Sequence, residues 1–323
     1  MTPRDQLDPA ALTALRRDLE DNVEGDVRFE RFFRGMHSTD ASVYQIIPLG
    51  VVAPRSRDDV VRVVELCSKH GASITARGGG TSQAGQAIGP GLQLDFSRHM
   101  NRLLDLDIEG RTVSVEPGMV LDEVNARLKP HGLQLPLDLS TSSRATIGGM
   151  IANNSAGTRS IVYGKTIDYV EELEVVLADA TSVTMQALDE DAQREKSDRD
   201  DLEGTCYRLV QELGTKHQDE IRIRYPKIQR RVGGYNLDEF TPADKPLNLC
   251  RIMVGSEGTL GLTVAAKLRL VPLPEGRIVC CVQFTDVLEA MAATPVILQH
   301  EPSAIELVDR FILDSTKGRI EFE

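Results

Sequence analysis

The densest chemistry in the chain lies in nine residues, Arg77-Gly78-Gly79-Gly80-Thr81-Ser82-Gln83-Ala84-Gly85. Glycine tolerates positive φ and lets a ligand approach the backbone. Successive N–H groups in such a turn make a concave anion site, and Thr81 and Ser82 add hydroxyl donors. The guest that suits this loop is a phosphate or pyrophosphate. It is not a P-loop, which needs Lys-Ser or Lys-Thr after the last glycine and a helix behind it; here Gly85 runs into Gln86-Ala87-Ile88-Gly89-Pro90. Nor is it a dinucleotide fingerprint, whose glycines sit at a strand-to-helix turn with an acidic residue beyond. A lone glycine cluster is equally a tight connection, so the anion reading needs a second site.

Two further stretches supply it. Residues 136–157 read PLDLSTSSRATIGGMIANNSAG. Gly148 and Gly149 allow close backbone approach, Asn153, Asn154 and Ser155 offer side-chain partners, and Thr146 is placed to cap a helical turn. The third stretch, around Gly255-Ser256-Glu257-Gly258-Thr259, reads as strand, glycine turn, strand. Long polar loops in compact domains are usually functional. Residues 222–231 carry four arginines and a lysine. A solvated surface is the default for such a run; because Gly233-Gly234-Tyr235-Asn236 follows, a second reading has one arginine facing an anionic substrate.

The elements that must hold these stretches are legible. Pro9 opens a helix with Leu12, Leu15 and Leu19 on one face. Ser56 caps a second helix with Asp58 and Asp59 in its first turn, Val60, Val63, Val64 and Cys67 inward, and Gly71 as its stop. Strands are expected over residues 72–76, 92–96 (alternating, hence half-buried) and 111–115. Leu121, Val124 and Leu128 make a helix face closed by Pro130 and Gly132. Residues 173–177 and 182–185 form a hairpin, residues 186–201 an exposed loop, and residues 202–213 a helix. Residues 267–271 extend the strand after the third glycine stretch, residues 279–284 start a new strand, and a helix begins at Asp286.

Composition narrows the class. Of 323 residues, 27% are charged and 41% hydrophobic, as in ordinary globular proteins. A net charge of −12 argues against a nucleic-acid surface, which needs a basic stripe. No apolar run is long enough for a membrane span, and residues 1–7 have no signal core. The five cysteines form no C-x-x-C pair, and the six histidines no H-x-H or H-E-x-x-H, so no metal site is expected. An odd cysteine count without a signal points to a reducing, cytoplasmic setting.

The three glycine-rich stretches, in this order, resemble the FAD-binding domain of the vanillyl-alcohol-oxidase/p-cresol-methylhydroxylase (PCMH) superfamily, and within it the D-lactate, glycolate and D-2-hydroxyglutarate dehydrogenase branch. Asp40-Ala41-Ser42-Val43-Tyr44, residues 149–157 and Arg231-Val232-Gly233-Gly234-Tyr235-Asn236-Leu237 are similar to large bacterial members that add a C-terminal iron–sulfur part. The resemblance implies an α+β, two-subdomain PCMH-type FAD-binding fold over residues 44–273. A helical extension (1–43) precedes it, and the truncated start of a cap domain (274–323) follows.

By the same resemblance, FAD contacts fall to Arg77, Gly78, Gly79, Gly80, Thr81, Ser82 and Gly85 in the first loop. Pro136, Ser140, Thr141, Gly148, Gly149, Asn153, Asn154 and Gly157 follow in the second, and Gly255, Glu257 and Gly258 in the third. Members with covalent flavin carry a histidine about where Thr81 stands, so FAD is expected to be non-covalent. The implied reaction is hydride transfer from a small D-2-hydroxy acid to FAD, with Arg230 or Arg231 on the substrate carboxylate. The family's histidine-rich motif, which supplies the base, has no match here. The chain is therefore expected to bind FAD without turnover, with no catalytic residue of its own and an iron–sulfur cluster only in a longer protein. A UDP-sugar reductase using NADPH and a non-redox nucleotide-binding module are the competing readings.

Overall fold

The computed structural model describes residues 7–241 and 246–319. Residues 1–6, part of the stretch read as lacking a signal core, and residues 320–323, where the second domain was expected to break off, lie outside the described residues.

The chain begins with α1 (Pro9–Asn22), β1 (Asp26–Arg28), α2 (Arg31–Met36), β2 (Gly50–Ala53), α3 (Arg57–His70), β3 (Ile74–Arg77) and β4 (Leu92–Asp95). These build a first sheet in the order β1-β2-β4-β3, antiparallel at β1–β2 and parallel elsewhere. The helix signals act as expected. The Asp8 carboxylate accepts from Ala10 and Ala11 N–H ahead of Pro9, Ser56 Oγ accepts from Asp59 N–H, and Gly71 ends α3 in the left-handed conformation. Leu15 and Leu19 of α1 pack with Val60, Val63, Val64 and Cys67 of α3 over Val52, Leu92 and Leu94. The N-terminal extension is thus part of the first core, and through β1 it is part of the first sheet.

The second unit holds β5 (Leu103–Asp107), β6 (Thr112–Val115), α4 (Leu121–Leu128), β7 (Leu133–Gln134), α5 (Ile147–Asn153), α6 (Ser160–Tyr163), β8 (Val170–Val176) and β9 (Ser182–Gln186). After these come α7 (Glu190–Ser197), α8 (Leu202–Lys216), α9 (Gln218–Arg224), α10 (Cys250–Met253), β10 (Leu262–Arg269) and β11 (Val271–Pro272). Its sheet runs β5-β6-β10-β8-β9, all antiparallel, and β11 pairs with β7. A second core joins α4, α5 and α8 to this sheet through Leu121, Val124, Ile147, Met150, Tyr207 and Leu173. The late strand β10 lies between β6 and β8, so the unit closes only when the chain returns to it. Residues 274–319 contribute α11 (Val287–Leu298), capped by Asp286, and α12 (Arg310–Thr316), neither of which buries a residue.

Four expectations are corrected. β4 is not half-buried: it is the middle strand of a parallel array, covered on both faces, and Gln93 is fully buried with its Nε2 donating to Ala87 O at 3.3 Å. Residues 186–201 hold α7, because the Asp189 carboxylate caps it through Ala192 N–H. Residues 252–254 are not a strand; Asn248 Oδ1 accepts from Cys250 N–H and starts the turn α10. Residues 279–284 form no strand, since no described strand lies alongside to complete a ladder, and Ile278 beside them is 97% exposed.

Candidate functional site

The carboxyl ends of β3 and β4 point at a cleft between the two sheets. It is lined by Ala76, Arg77, Gly78, Phe96, Pro117, Thr146, Gly148, Gly149, Ala152, Met253, Ser256, Gly258, Gly261, Leu262 and Thr263. About 510 Å³ there is free of protein atoms, part of it open to solvent. All three glycine stretches reach it.

The first loop wraps around Arg77. Its guanidinium donates to Ala87 O at 3.0 Å and to Thr39 O at 2.9 Å, tying both ends of the loop to residues 38–46. Ala41 N–H donates to Gly80 O and Ala87 N–H to the Asp40 carboxylate. Burial lowers the Arg77 pKa, opposed by Asp95 and Asp40. For both carboxyls burial raises the pKa, and donors overcome it: His37 and Ser97 hold Asp95 low, and Ser42, Ala87 and the Arg77 charge hold Asp40 low. Gly80 and Gly85 adopt φ of +64° and +82°, and Ser82 Oγ accepts from Ala84 and Gln86 N–H. The N–H groups of residues 78–83 find no acceptor among the described residues. They make the open row of donors that an anion needs.

Close packing explains several glycines. A Cβ on Gly78 would lie 1.9 Å from Thr146 Oγ1, one on Gly79 2.1 Å from Arg144 O, and one on Gly148 2.7 Å from Pro117 Cβ. The first two contacts dock the first unit on the second, and the third packs α5 within the second unit. Gly258 has no atom within 4 Å of its Cβ position, and Gly149 has only Thr146 Oγ1 at 3.4 Å. Thr146 occupies the cap position of α5 but makes no capping bond; its buried Oγ1 has no partner. A row of free N–H donors, an orphaned hydroxyl and apolar walls from Phe96, Met253 and Leu262 fit an amphipathic cofactor with an anionic linker.

The third turn has three left-handed residues in four: Gly255 at φ +85°, Glu257 at +51° and Gly258 at +75°. Gly255 and Glu257 N–H donate to Ile151 O and Ala152 O, both at 2.9 Å, which anchors the turn on α5. The turn of Glu116 and Pro117 is fixed by Arg102, which donates to the buried Glu116 carboxylate from its backbone at 2.8 Å and its guanidinium at 2.7 Å.

Among the residues expected to touch cofactor, Arg77, Gly78, Gly148, Gly149 and Gly258 line the cleft; Gly79, Gly80, Thr81, Ser82, Gly85, Gly255 and Glu257 lie in loops that border it. Pro136, Ser140, Thr141, Asn153 and Gly157 are not in its lining. Asn154 is buried as the left-handed cap of α5; its Oδ1 accepts from Ile167 N–H, while its buried Nδ2 has no partner among the described residues. Arg231 is committed elsewhere: it pairs with both Asp238 oxygens at 2.6 and 2.7 Å, stacks over Tyr225, and is 13% exposed. Its charge is neutralised, which argues against a substrate carboxylate there. Arg230 is exposed and makes one long bond, to Ala156 O at 3.3 Å. Phe96, Pro117 and Thr146 were missed; for Phe96 the available signal was its place just past the carboxyl end of the parallel strand β4, where open α/β sheets bind ligands. The buried thiols of Cys67 and Cys250 are pushed up to about 12 by burial, so neither is a nucleophile at neutral pH.

The sequence matches the family described as FAD binding domain over residues 48–186. It is similar to a D-2-hydroxyglutarate dehydrogenase of Pseudomonas putida, 36% identical over 94% of this chain and 30% of that protein. Glycolate oxidase subunit GlcD of Bacillus subtilis is 32% identical over 89% of this chain and 52% of that protein. A mitochondrial cytochrome-type D-lactate dehydrogenase of Arabidopsis thaliana is 28% identical over 94% and 45%. The chain thus spans about a third to a half of the length of the relatives it matches. A solved alkyldihydroxyacetonephosphate synthase shares the fold, with a TM-score of 0.62 at 20% identity over 93% of this chain and 47% of that one. No helix among the described residues is long and apolar enough to cross a membrane. Residues 48–186, which help to build the cleft, thus match the FAD binding domain family, in a chain that is similar to D-2-hydroxyglutarate dehydrogenase and to a glycolate oxidase subunit along most of its length.

Proposed function

We propose that this chain is the FAD-binding part of an oxidoreductase that transfers hydride from a D-2-hydroxy acid, of the D-lactate or D-2-hydroxyglutarate type, to non-covalent FAD. The observation that carries the reading is the convergence of three glycine stretches on one cleft, with unpaired N–H donors on the first loop. When bound, the flavin ring supplies the two-electron chemistry.

The chain's own residues bind and orient. The N–H groups of residues 78–83, with Thr81 and Ser82, hold the pyrophosphate; Gly148, Gly149 and Thr146 Oγ1 face its neighbouring atoms; Gly258 gives the third stretch room for close approach. Phe96, Met253 and Leu262 exclude water from the cleft. No histidine stands between residues 78 and 85, which supports a dissociable cofactor. Of the titratable groups near the first loop, His37 faces Asp95 and Phe33 O, and Asp95 is held by Ser97, so neither is placed to take the hydroxyl proton. The base, an iron–sulfur cluster and the electron acceptor belong, on this reading, to a longer protein.

The test is the visible spectrum of the chain before and after acid precipitation. A flavin spectrum that moves to the supernatant supports the proposal. Colour retained in the pellet would overturn the non-covalent part, and a chain that cannot be reconstituted with FAD would overturn the whole. In a protein that includes the histidine-rich C-terminal region, D-2-hydroxyglutarate or D-lactate should bleach the flavin and NADPH should not.

A further inference from the structure

The segment after the arginine run contacts the third glycine turn. Residues 225–236 contain no strand, yet they end in a clamp. Asn236, 2% exposed, donates from Nδ2 to Val254 O at 2.8 Å and Arg251 O at 3.1 Å, the two carbonyls that lead into the turn. At the other end, Tyr235 OH and Thr259 Oγ1 are 2.7 Å apart, and Thr259 Oγ1 donates to Ser256 O at 2.5 Å. The threonine has one proton, so Tyr235 is the donor to it. Behind them, Tyr225 OH donates to Tyr235 O at 2.9 Å, and the Arg231–Asp238 pair covers the Tyr225 ring.

The clamp sits where backbone strain is concentrated. Glu257 is a non-glycine residue in the left-handed region, flanked by Gly255 and Gly258 at positive φ. Such conformations persist only when the surroundings over-determine them. The carbonyls of α5 hold the amides of residues 255 and 257; Asn236 and Tyr235 hold the entry and the exit. Ser256 and Gly258, between the clamped ends, line the cleft.

We propose that Tyr235 and Asn236 are positioning residues: they fix the left-handed turn of residues 255–259 in the shape that accepts the cofactor, a role that rests on the FAD reading above. Neither residue lines the cleft. The pair pre-organises a wall of the site, so that binding need not order it.

The test combines FAD titration with hydrogen exchange of the FAD-free chain, for wild type, Y235F, T259V, T259S and Y235F/T259V. Loss of the Tyr235–Thr259 hydrogen bond should weaken FAD binding about three- to ten-fold in Y235F, and at least as much in T259V, which also loses the bond to Ser256 O. The double variant should lose no more than T259V alone, and T259S, which keeps the hydroxyl, should bind like wild type. Without FAD, amides 255–260 should exchange faster in Y235F and T259V, with exchange elsewhere and the melting temperature unchanged. N236A should show a larger effect; it removes the only side-chain donor to two carbonyls and can fail to fold, so the other four variants decide the outcome. Unchanged affinity and unchanged local exchange in Y235F and T259V would overturn the proposal, as would faster exchange spread over the whole chain. If the wild type binds no FAD, the functional reading fails, while exchange at residues 255–260 still decides the clamp.

Discussion

The first and third glycine turns have similar composition and opposite architecture. The first is built around a charge: the Arg77 guanidinium fills the loop and bridges Ala87 O and Thr39 O, with Asp40 and Asp95 beside it. Its amides are left open. The third contains no ion pair. It is held by carbonyls of α5, an asparagine amide and a tyrosine hydroxyl, and its own amides at residues 255 and 257 are already used. A loop that must donate to an anion keeps its N–H groups free and is shaped from inside by a side chain. A loop that must present a surface uses its N–H groups to hold that surface still.

The largest effect expected from breaking this contrast is at Gly79. Its Cβ would strike the carbonyl of Arg144 at 2.1 Å, a backbone atom that cannot rotate away. Gly79→Ala should destabilise the chain by about 1–3 kcal/mol and abolish FAD binding, read by urea unfolding and FAD titration. Wild-type stability and affinity would mean that the two units do not dock through this contact.

Next is Arg77→Lys, which keeps the charge and loses the fork that reaches two carbonyls. FAD affinity should fall about ten-fold or more, since hydrogen bonds to charged groups are each worth about 1.5–3 kcal/mol. If lysine sustains the affinity, the guanidinium acts on FAD through charge and not by shaping the loop.

The third turn should respond with the opposite sign. Glu257→Gly relieves a left-handed non-glycine residue at φ +51°, worth about 1 kcal/mol and partly offset by glycine's greater chain entropy. The melting temperature should rise slightly; a fall would show that the Glu257 side chain contributes to the turn.

The smallest effect is in pH. Asp40 and Asp95 have pKa values below the ordinary aspartate value. Their contribution is therefore complete above about pH 4, near the unfolded value, and is lost as pH falls through their lower folded values. Hydrogen exchange below pH 4, corrected for intrinsic rates, should show the bonded amides of residues 84, 86 and 87 loosening before those of residues 255–259. Simultaneous loosening would remove the electrostatic distinction between the loops.

The local elements were legible because their signals are local. Asp8, Ser56, Asp286 and Gly71 bound helices at or next to the places their capping chemistry indicates, and the hairpin of β8 and β9 follows its alternation. The same holds for the three glycine stretches as a set, since low side-chain volume and flexible φ are properties of the residues themselves.

What sequence could not settle depends on partners distant along the chain. Gln93 is buried because β3 and β2 flank β4 on either side, which no window around residue 93 contains. Arg231 carries a functional-looking side chain, but Asp238 engages it internally. Thr146 shows the converse: its sequence context indicates a cap, and packing against Gly78 turns its hydroxyl into the cleft instead. Residue types and order determined that this chain carries a glycine-lined site in an α+β frame. Only the tertiary structure decided which donors stay free for a ligand, because a hydrogen-bonding group is available only when no other part of the fold reaches it first.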